Sequence, residues 1–265
     1  GGNIIKNFTR DEFLSLFSGM IIPLLSIVIT YGISKLWQRF FQVAPTHHGS
    51  FSTMFTFSNT IFIGLPINLA IFGEKAVPYV LLYYIVNTSL FWTVGIYEIA
   101  RDSPSFEEAK VSFHPLVVLK KIFSPALIGF IIGLIWMLFD FPLPKFIAGL
   151  GGYLSELTTP LSMFIIGIIV YYSGIKNLRM TKDLAGVLAG RFLLSPLIVW
   201  LIGQWIQVPS LMLQVFIIQA SMPVQNSVPI LVRNYQGDEE FAASSLGYSV
   251  LIYMIYIPLL LMVLL

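Results

Sequence analysis

The sequence has no cysteine and few charged residues, and both shortages limit the classes of protein to which it can belong. Without cysteine there is no disulfide framework and no thiolate metal or redox site. Charged residues make up only 11 % of the chain and hydrophobic residues 57 %, against about 25 % and about 45–50 % in a soluble domain. The basic residues lie in short loops rather than in a patch, so no nucleic-acid partner is expected. The composition predicts an integral membrane protein whose first partner is the lipid bilayer.

Enzyme signatures are missing as well. The sequence has no phosphate-binding loop, no HExxH motif and no nucleophile elbow, and the glycines of AGLGGYL at 148–154 do not follow a strand. We therefore expect no enzyme, no catalytic residue, no cofactor and no metal site. His47 and His48 are interpreted as surface residues of a loop rather than as metal ligands.

Long apolar segments fill most of the chain. A helix that crosses the ~30 Å hydrocarbon core needs about 20 mostly apolar residues. Eight segments reach this length, at about 13–36, 51–72, 76–99, 116–138, 146–172, 184–206, 210–232 and 241–264. They are continuous runs, which favours helices over the alternating strands of a barrel. The predicted fold class is an all-α polytopic membrane protein with about eight transmembrane helices.

The distribution of Lys and Arg predicts the orientation, because cytoplasmic loops are enriched in both. With eight spans, alternate loops share one side of the membrane. One side collects Lys35, Arg39, Arg101, Lys110, Lys120, Lys121, Lys176, Arg179, Lys182 and Arg233, and the other only Lys6, Arg10, Lys75 and Lys145. The loop at 101–115 is therefore predicted to be cytoplasmic, with both chain ends outside the plasma membrane.

Two stretches inside the apolar segments carry similar interruptions. SNTIFIGLPI occupies 58–67 and SMPVQNSVPI occupies 221–230, and each is followed by a polar turn and one more span. Since the two copies enter the membrane from opposite sides, we interpret 8–100 and 183–265 as inverted three-helix units. Residues 101–115 are then a cytoplasmic loop and 116–174 scaffold helices.

The interruptions predict a binding site. Proline lacks an N–H and its ring clashes with the carbonyl four residues back, and backbone groups freed in hydrocarbon cost several kcal/mol unless protein or a wet cavity receives them. Broken helices at matching places in inverted halves are typical of a transporter's substrate site. Pro66 and Pro229 are expected to open the following half-helices, whose free amides, at 67–69 and 230–232, attract anions.

The side chains near the breaks are neutral. The candidate substrate-binding residues are Ser58, Asn59, Gly64, Pro66, Asn68, Ser221, Pro223, Gln225, Asn226 and Pro229. None is acidic, whereas a cation-coupled crossing usually needs an intramembrane carboxylate. The expected substrate is therefore anionic or neutral.

Two charges elsewhere in the spans, Arg191 and Glu156, are interpreted as structural or interfacial, with Arg191 able to reach the interface by snorkelling. Two glycine pairs with small-xxx-small spacing suit close helix contacts, Gly129 with Gly133 and Gly186 with Gly190. For the first pair, in the scaffold, the contact is either a homodimer interface or packing within the chain.

These stretches resemble a known family. SNTIFIGLPINLAIFGEKA at 58–76 is similar to the N-T-x-x-x-G-x-P…G-E motif of the auxin efflux carrier family, which includes plant auxin exporters and bacterial malate permease-like proteins. Residues 220–251 resemble its second broken helix, and SPALIGFIIG at 124–133 and TPLSMFIIG at 159–167 match further positions. The family has ten helices in two inverted sets of five, and this sequence aligns without the first two.

The resemblance implies an elevator-type secondary carrier of small organic anions such as carboxylates. The inverted units would form the mobile domain, with the substrate carboxylate held where the broken helices cross. Asn59 would donate its side-chain N–H, with Pro66, Pro223 and Pro229 shaping the site and with Gln225 and Asn226 as weaker candidates. Export of a monoanion needs no coupling ion, because the membrane potential supplies about 2.3 kcal/mol per charge per 100 mV.

Two alternatives stay open from the sequence. A sodium-coupled symporter of the bile-acid type shares the inverted-repeat plan, but it predicts acidic ligands near the crossing. A membrane sensor or interaction protein that keeps the fold without transport predicts binding without flux.

Overall fold

A computed structural model describes residues 19–103 and 179–264, together with isolated positions between 123 and 168. The expected scaffold helices, most of the predicted cytoplasmic loop and Glu156 lie outside the described residues. Helices are numbered here in chain order through the described ranges.

The first described range forms a helix, a broken helix and a third helix. α1 is Ile21–Phe41, and the broken helix consists of α2, His48–Thr56, and a second half in which a π-helical turn, Thr60–Gly64, leads into α3, Leu65–Phe72. The chain reverses through a 3₁₀ turn, Gly73–Ala76, whose first residue has φ of +69° and so suits glycine. The third helix consists of α4, Val77–Leu90, a π-helical turn, Phe91–Gly95, and α5, Ile96–Arg101.

The second range repeats this order. Its first helix consists of α6, Lys182–Ala189, a π-helical turn, Gly190–Leu194, and α7, Ser195–Trp205. A broken helix follows as α8, Ser210–Ala220, and α9, Val228–Asn234, and the last helix is α10, Glu239–Leu264. Across both described ranges there is no strand, only one isolated backbone bridge between Ser58 and Val224.

The predicted all-α membrane fold is confirmed. Within the described ranges, four helical stretches are long and apolar enough to cross a membrane, namely Ile21–Phe41, Thr60–Arg101, Lys182–Trp205 and Glu239–Leu264. Large apolar side chains on the outer faces of α1, α7 and α10 are exposed, including Val28, Trp200 and Ile255. Because so much exposed apolar surface is unstable in water, these faces lie against lipid.

The first predicted span ends too early. The apolar run predicts an end near residue 36, whereas α1 continues to Phe41 and ends at Gln42, in the left-handed region with φ of 49°. The additional residues include Gln38 and Arg39, which lower the local hydropathy, so a hydropathy criterion does not detect them. Gln38 is buried and donates to the carbonyl of His48 and to the hydroxyl of Ser52, which holds the end of α1 against α2.

Two of the hydrophobic clusters that the described residues form combine side chains of both ranges. Phe51 and Phe55 of α2 are buried in the same cluster as Leu184 of α6, Ile218 of α8 and Phe241 of α10. Every residue of α2 from Gly49 to Thr56 is buried. The first half of the first broken helix is thus surrounded by helices from both ranges.

Loops from both ranges meet at one end of the bundle. His47 Nδ1 lies 2.9 Å from Asp183 Oδ2 and its Nε2 lies 3.0 Å from Asp238 Oδ2, while its ring stacks on Phe241. His48 is exposed, as predicted for a surface residue. His47 is only partly exposed, because its ring lies between the carboxylates of Asp183 and Asp238. These contacts join three of the loops that the alternation of spans places on the cytoplasmic side.

Candidate functional site

The two helix breaks meet and bond to each other. The first break covers 57–59 and the second 221–227. Ser58 and Val224 form an antiparallel bridge, and the backbone N–H of Asn59 donates to the carbonyl of Pro223 over 3.0 Å. The predicted crossing of two interrupted helices is therefore present, and it is closed by backbone hydrogen bonds.

The first break lies before the position predicted from proline. The expectation that the second half-helix begins at Pro66 is wrong, because the chain is already helical from Thr60 and stays helical past Pro66. The π-helical turn explains this continuity. In a π-helical turn each carbonyl accepts the N–H five residues later instead of four, as Asn59 O accepts Gly64 N–H over 3.0 Å. This wider turn relieves the clash that a proline ring meets in an α-helix.

The second break matches the prediction more closely. Ser221 and Pro223 lie in unwound chain, where the Ser221 hydroxyl donates to the carbonyl of Ile218 over 2.9 Å. Pro229 lies in the first turn of α9, where its missing N–H leaves no hydrogen bond unmade. α9 has only seven residues.

Asn59 and Asn226 are brought together at the crossing from positions far apart in the chain. Asn59 Nδ2 donates to Asn226 Oδ1 over 2.7 Å, and Asn59 Oδ1 accepts the N–H of Phe62 and so caps the helix that begins at Thr60. Asn59 is buried, whereas Asn226 and Gln225 are partly exposed. Gln225 donates to the hydroxyl of Ser227 over 3.4 Å.

Gly64 and Asn68 follow the first break in the chain and lie next to Gln219, a residue that the sequence pattern did not indicate. Asn68 Nδ2 donates to the carbonyl of Gly64 over 2.8 Å, and Gln219 Nε2 donates to the carbonyl of Thr60 over 3.2 Å. A Cβ on Gly64 would lie 2.2 Å from Gln219 Oε1, so a larger residue at this position would require the Gln219 amide to move. The oxygens Asn68 Oδ1 and Gln219 Oε1 are buried and accept no hydrogen bond from the described residues.

The third helix of each range fixes the break of its own range. Asn87 of α4 accepts the backbone N–H of Ser58 over 3.2 Å and donates to its carbonyl over 3.0 Å. Ser249 of α10 accepts the N–H of Val224 over 3.1 Å. Both residues look unremarkable in the sequence, because their partners lie 29 and 25 positions away.

Arg191 lies at the crossing rather than at the interface. Its side chain is fully buried, and its guanidinium donates to the carbonyls of Phe55 and Thr56, at the end of α2, and to those of Ala220 and Met222, at the end of α8. The snorkelling interpretation is wrong. The last carbonyls of a helix have no partner within it and carry partial negative charge, so two such ends attract the cation inward.

The glycines that precede Arg191 allow this approach. A Cβ on Gly190 would lie 2.4 Å from the ring of Phe55, and one on Gly186 would lie 2.7 Å from Trp37 Nε1. The predicted role of Gly186 and Gly190 in close helix contacts is confirmed, and the contacts are within the chain.

Sequence comparisons agree with this architecture. A family model described as membrane transport protein matches residues 2–261. An uncharacterized transporter of Methanothermobacter thermautotrophicus is 24 % identical over 261 residues, which cover 97 % of this chain and 82 % of the relative. The uncharacterized transporter MJ1031 of Methanocaldococcus jannaschii is 25 % identical over 248 residues, which cover 92 % of this chain and 77 % of the relative.

Proposed function

Since this chain belongs to the membrane transport protein family, we propose that it is an elevator-type secondary carrier of small organic anions. The family includes the auxin efflux carriers, so the resemblance found in the sequence is confirmed. The protein is an integral membrane transporter. The substrate class, its binding site and the transport mechanism are the content of the proposal.

The observation that carries the proposal is the amide pair at the crossing. Asn59 Nδ2 donates to the neutral oxygen of Asn226 over 2.7 Å. A substrate carboxylate that replaces that oxygen would receive a charge-assisted hydrogen bond, which is roughly twice as strong as a neutral one. The displaced Asn226 amide then presents its own N–H₂, so that two amides hold one carboxylate.

The charges around the crossing support an anionic substrate. Ser58, Asn59, Gln219 and Asn226 are neutral, and the ionised side chain that bonds to the ends of α2 and α8 at the crossing is Arg191. Asp102 and Asp238 lie away from the crossing and accept backbone N–H groups at the starts of helices, Asp102 from Gly49 of α2 and Asp238 from Phe241 of α10. An anion at the crossing therefore meets donors rather than carboxylates.

Packing supports movement as one body. The helices of 21–101 and 182–264 share two hydrophobic clusters, and their breaks are bonded to each other. Sliding one range against the other would break these bonds, so the two three-helix units are expected to move together against the scaffold helices at 116–174. We place the 101–115 loop in the cytoplasm of a plasma-membrane carrier, with a homodimer formed through the scaffold.

Flux in proteoliposomes tests this proposal. Labelled lactate, benzoate and malate serve as substrates, with Asn59→Ser and Asn59→Asp as variants that keep an oxygen to cap the N–H of Phe62. Losing a hydrogen bond to a charged group costs about 1.5–3 kcal/mol, so Asn59→Ser should bind roughly 10- to 150-fold more weakly. Asn59→Asp should abolish flux by charge repulsion.

The control for these variants is Gln204→Ala, an exposed amide on α7, which should transport as the wild type does. If none of the three acids moves, or if Asn59→Asp transports them at the wild-type rate, carboxylate binding at the crossing is wrong.

A sodium-coupled symporter of the bile-acid type is the second candidate. The observation in its favour is the pair of buried amide oxygens, Asn68 Oδ1 and Gln219 Oε1, which receive no hydrogen bond from the described residues. Transporters bind Na⁺ with oxygens of unwound segments and helix ends. Transport that requires a sodium gradient at zero membrane potential would select this candidate.

A further inference from the structure

We propose that Arg191 is a built-in cation that occupies the place of a coupling ion and makes anion transport independent of Na⁺. The inference rests on the proposed anion carrier and adds the charge that balances its binding site. It starts from a guanidinium whose described hydrogen bonds all go to backbone carbonyls at or just after the ends of α2 and α8.

The geometry joins two helix ends from opposite halves of the molecule. α2 has nine residues and α8 has eleven, and both end at the crossing. Arg191 Nη1 donates to Thr56 O over 2.6 Å, and its Nε donates to Met222 O over 3.1 Å. One side chain from a third helix thus binds the last carbonyls of both half-helices.

The charges balance. The carboxyl end of a helix carries up to about −0.5 of an elementary charge, so two ends together approach the single positive charge of a guanidinium. No Asp or Glu within the described ranges forms an ion pair with Arg191. The counter-charge that the structure describes is therefore the pair of helix ends, and a buried charge without one would be strongly destabilising.

Helix ends of this kind are where carriers coordinate a coupling cation. Unwound carbonyls and the carboxyl ends of half-helices bind Na⁺ or H⁺ in carriers with broken helices. Here the corresponding carbonyls of Phe55, Thr56, Ala220 and Met222 already receive N–H donors. Because arginine stays charged at physiological pH and is attached to the chain, it supplies the same charge in every transport cycle.

A purely structural arginine would make a different prediction. It would add stability, but its removal would not create a dependence on small cations. A built-in cation predicts that its removal leaves a cluster of carbonyls that a free cation fills. Binding or transport should then follow the concentration of that cation.

The experiment compares wild type, Arg191→Ala, Arg191→Lys and Arg233→Ala in proteoliposomes at constant ionic strength. Arg233 is the control, because its side chain is 72 % exposed and pairs with Glu239 on the surface. Flux of lactate, benzoate or malate is measured with N-methylglucamine, Na⁺ or millimolar methylguanidinium as the cation. In parallel, the melting temperature of each detergent-purified protein is followed as Na⁺ or methylguanidinium is added.

Wild type and Arg233→Ala should transport equally in Na⁺ and in N-methylglucamine. Arg191→Ala should lose flux in N-methylglucamine by roughly tenfold or more and recover it in a saturable way with methylguanidinium or Na⁺. Arg191→Lys keeps a positive charge attached to the chain, so its flux should remain independent of Na⁺. This variant tests the proposal if Arg191→Ala does not fold.

Three results would overturn the inference: wild-type flux that needs Na⁺, full flux of Arg191→Ala in N-methylglucamine, or Na⁺-dependent flux of Arg191→Lys. If no acid is transported by the wild type, the anion carrier itself fails. The melting temperature of Arg191→Ala still reports on the cation site in that case, since it should rise with millimolar methylguanidinium while that of Arg233→Ala does not. A folded Arg191→Ala whose melting temperature ignores both cations would refute the site.

Discussion

Replacing Asn87 with Leu removes the side chain that holds the first helix break. Asn87 Oδ1 accepts Ser58 N–H over 3.2 Å, and its Nδ2 donates to Ser58 O over 3.0 Å. Asn87 and Ser58 are both fully buried, so water cannot replace the lost partners. The substitution leaves the backbone N–H of Ser58 without its described partner in the core of the protein, while Ser58 O still accepts the N–H of Thr60 over 3.0 Å.

The expected magnitude follows from the Ser58 N–H. A buried polar group that loses its partner costs about 1–3 kcal/mol, which is the cost expected for Asn87→Leu before any relaxation of the break. Leu has the same branched outline as Asn but larger methyl groups, so any overpacking adds to this cost. At about 2–4 °C per kcal/mol for a chain of this size, the melting temperature should fall by roughly 2–12 °C.

The assay is thermal unfolding in one detergent, with Ser89→Ala as the matched control. Ser89 lies on the same helix, and its hydroxyl donates to Ile85 O within the helix. Its removal leaves no backbone group without a helical partner, so the melting temperature should stay close to that of the wild type. If Asn87→Leu melts within about 1 °C of Ser89→Ala, an effect of roughly 0.5 kcal/mol or less, Asn87 does not hold the break and the account of the crossing is refuted.

Two further predictions concern the packing and the loops. Gly49→Ala should destabilise the protein strongly in the same melting assay, because the new Cβ would lie 1.7 Å from Glu98 O, whereas Gly32→Ala, which meets nothing within 4 Å, should not. Burial pushes the pKa of Asp238 up, but hydrogen bonds from Phe241 N–H and His47 and the charge of His47 outweigh it, so its pKa is lowered. The ionised carboxylate therefore stabilises the folded state at pH values above the unfolded pKa, and this contribution is lost as the pH falls through the folded pKa. Between pH 6 and 3, the melting temperature of Asp238→Asn should fall by less than that of the wild type.

The sequence could predict the helices and the existence of two breaks, because both depend on local composition. Apolar length indicates the spans, and proline with side-chain amides indicates an interruption. It could not predict where the first break lies. The unwound residues at 57–59 contain no proline, and what fixes them is Asn87 and the carbonyl of Pro223. These partners are distant in the chain, so no local pattern reveals them, while a π-helical turn carries the helix past Pro66.

The position of Arg191 shows which physical term decides the charge of the crossing. Hydropathy alone predicts that an arginine in a membrane span reaches the nearest membrane–water interface, because burying a charge in hydrocarbon is costly. In this protein the cost is offset inside, since two helices end where the guanidinium can reach their unpaired carbonyls. Once those carboxyl ends are neutralised, donors remain at the crossing: the amino end of the helix from Thr60 to Phe72, which the neutral Asn59 oxygen caps, and the Asn59 N–H₂, whose described acceptor is the neutral Asn226 oxygen. A site whose negative ends are already balanced and whose positive end is not favours a monoanion over a cation, which is the reason to seek the substrate among monocarboxylates first.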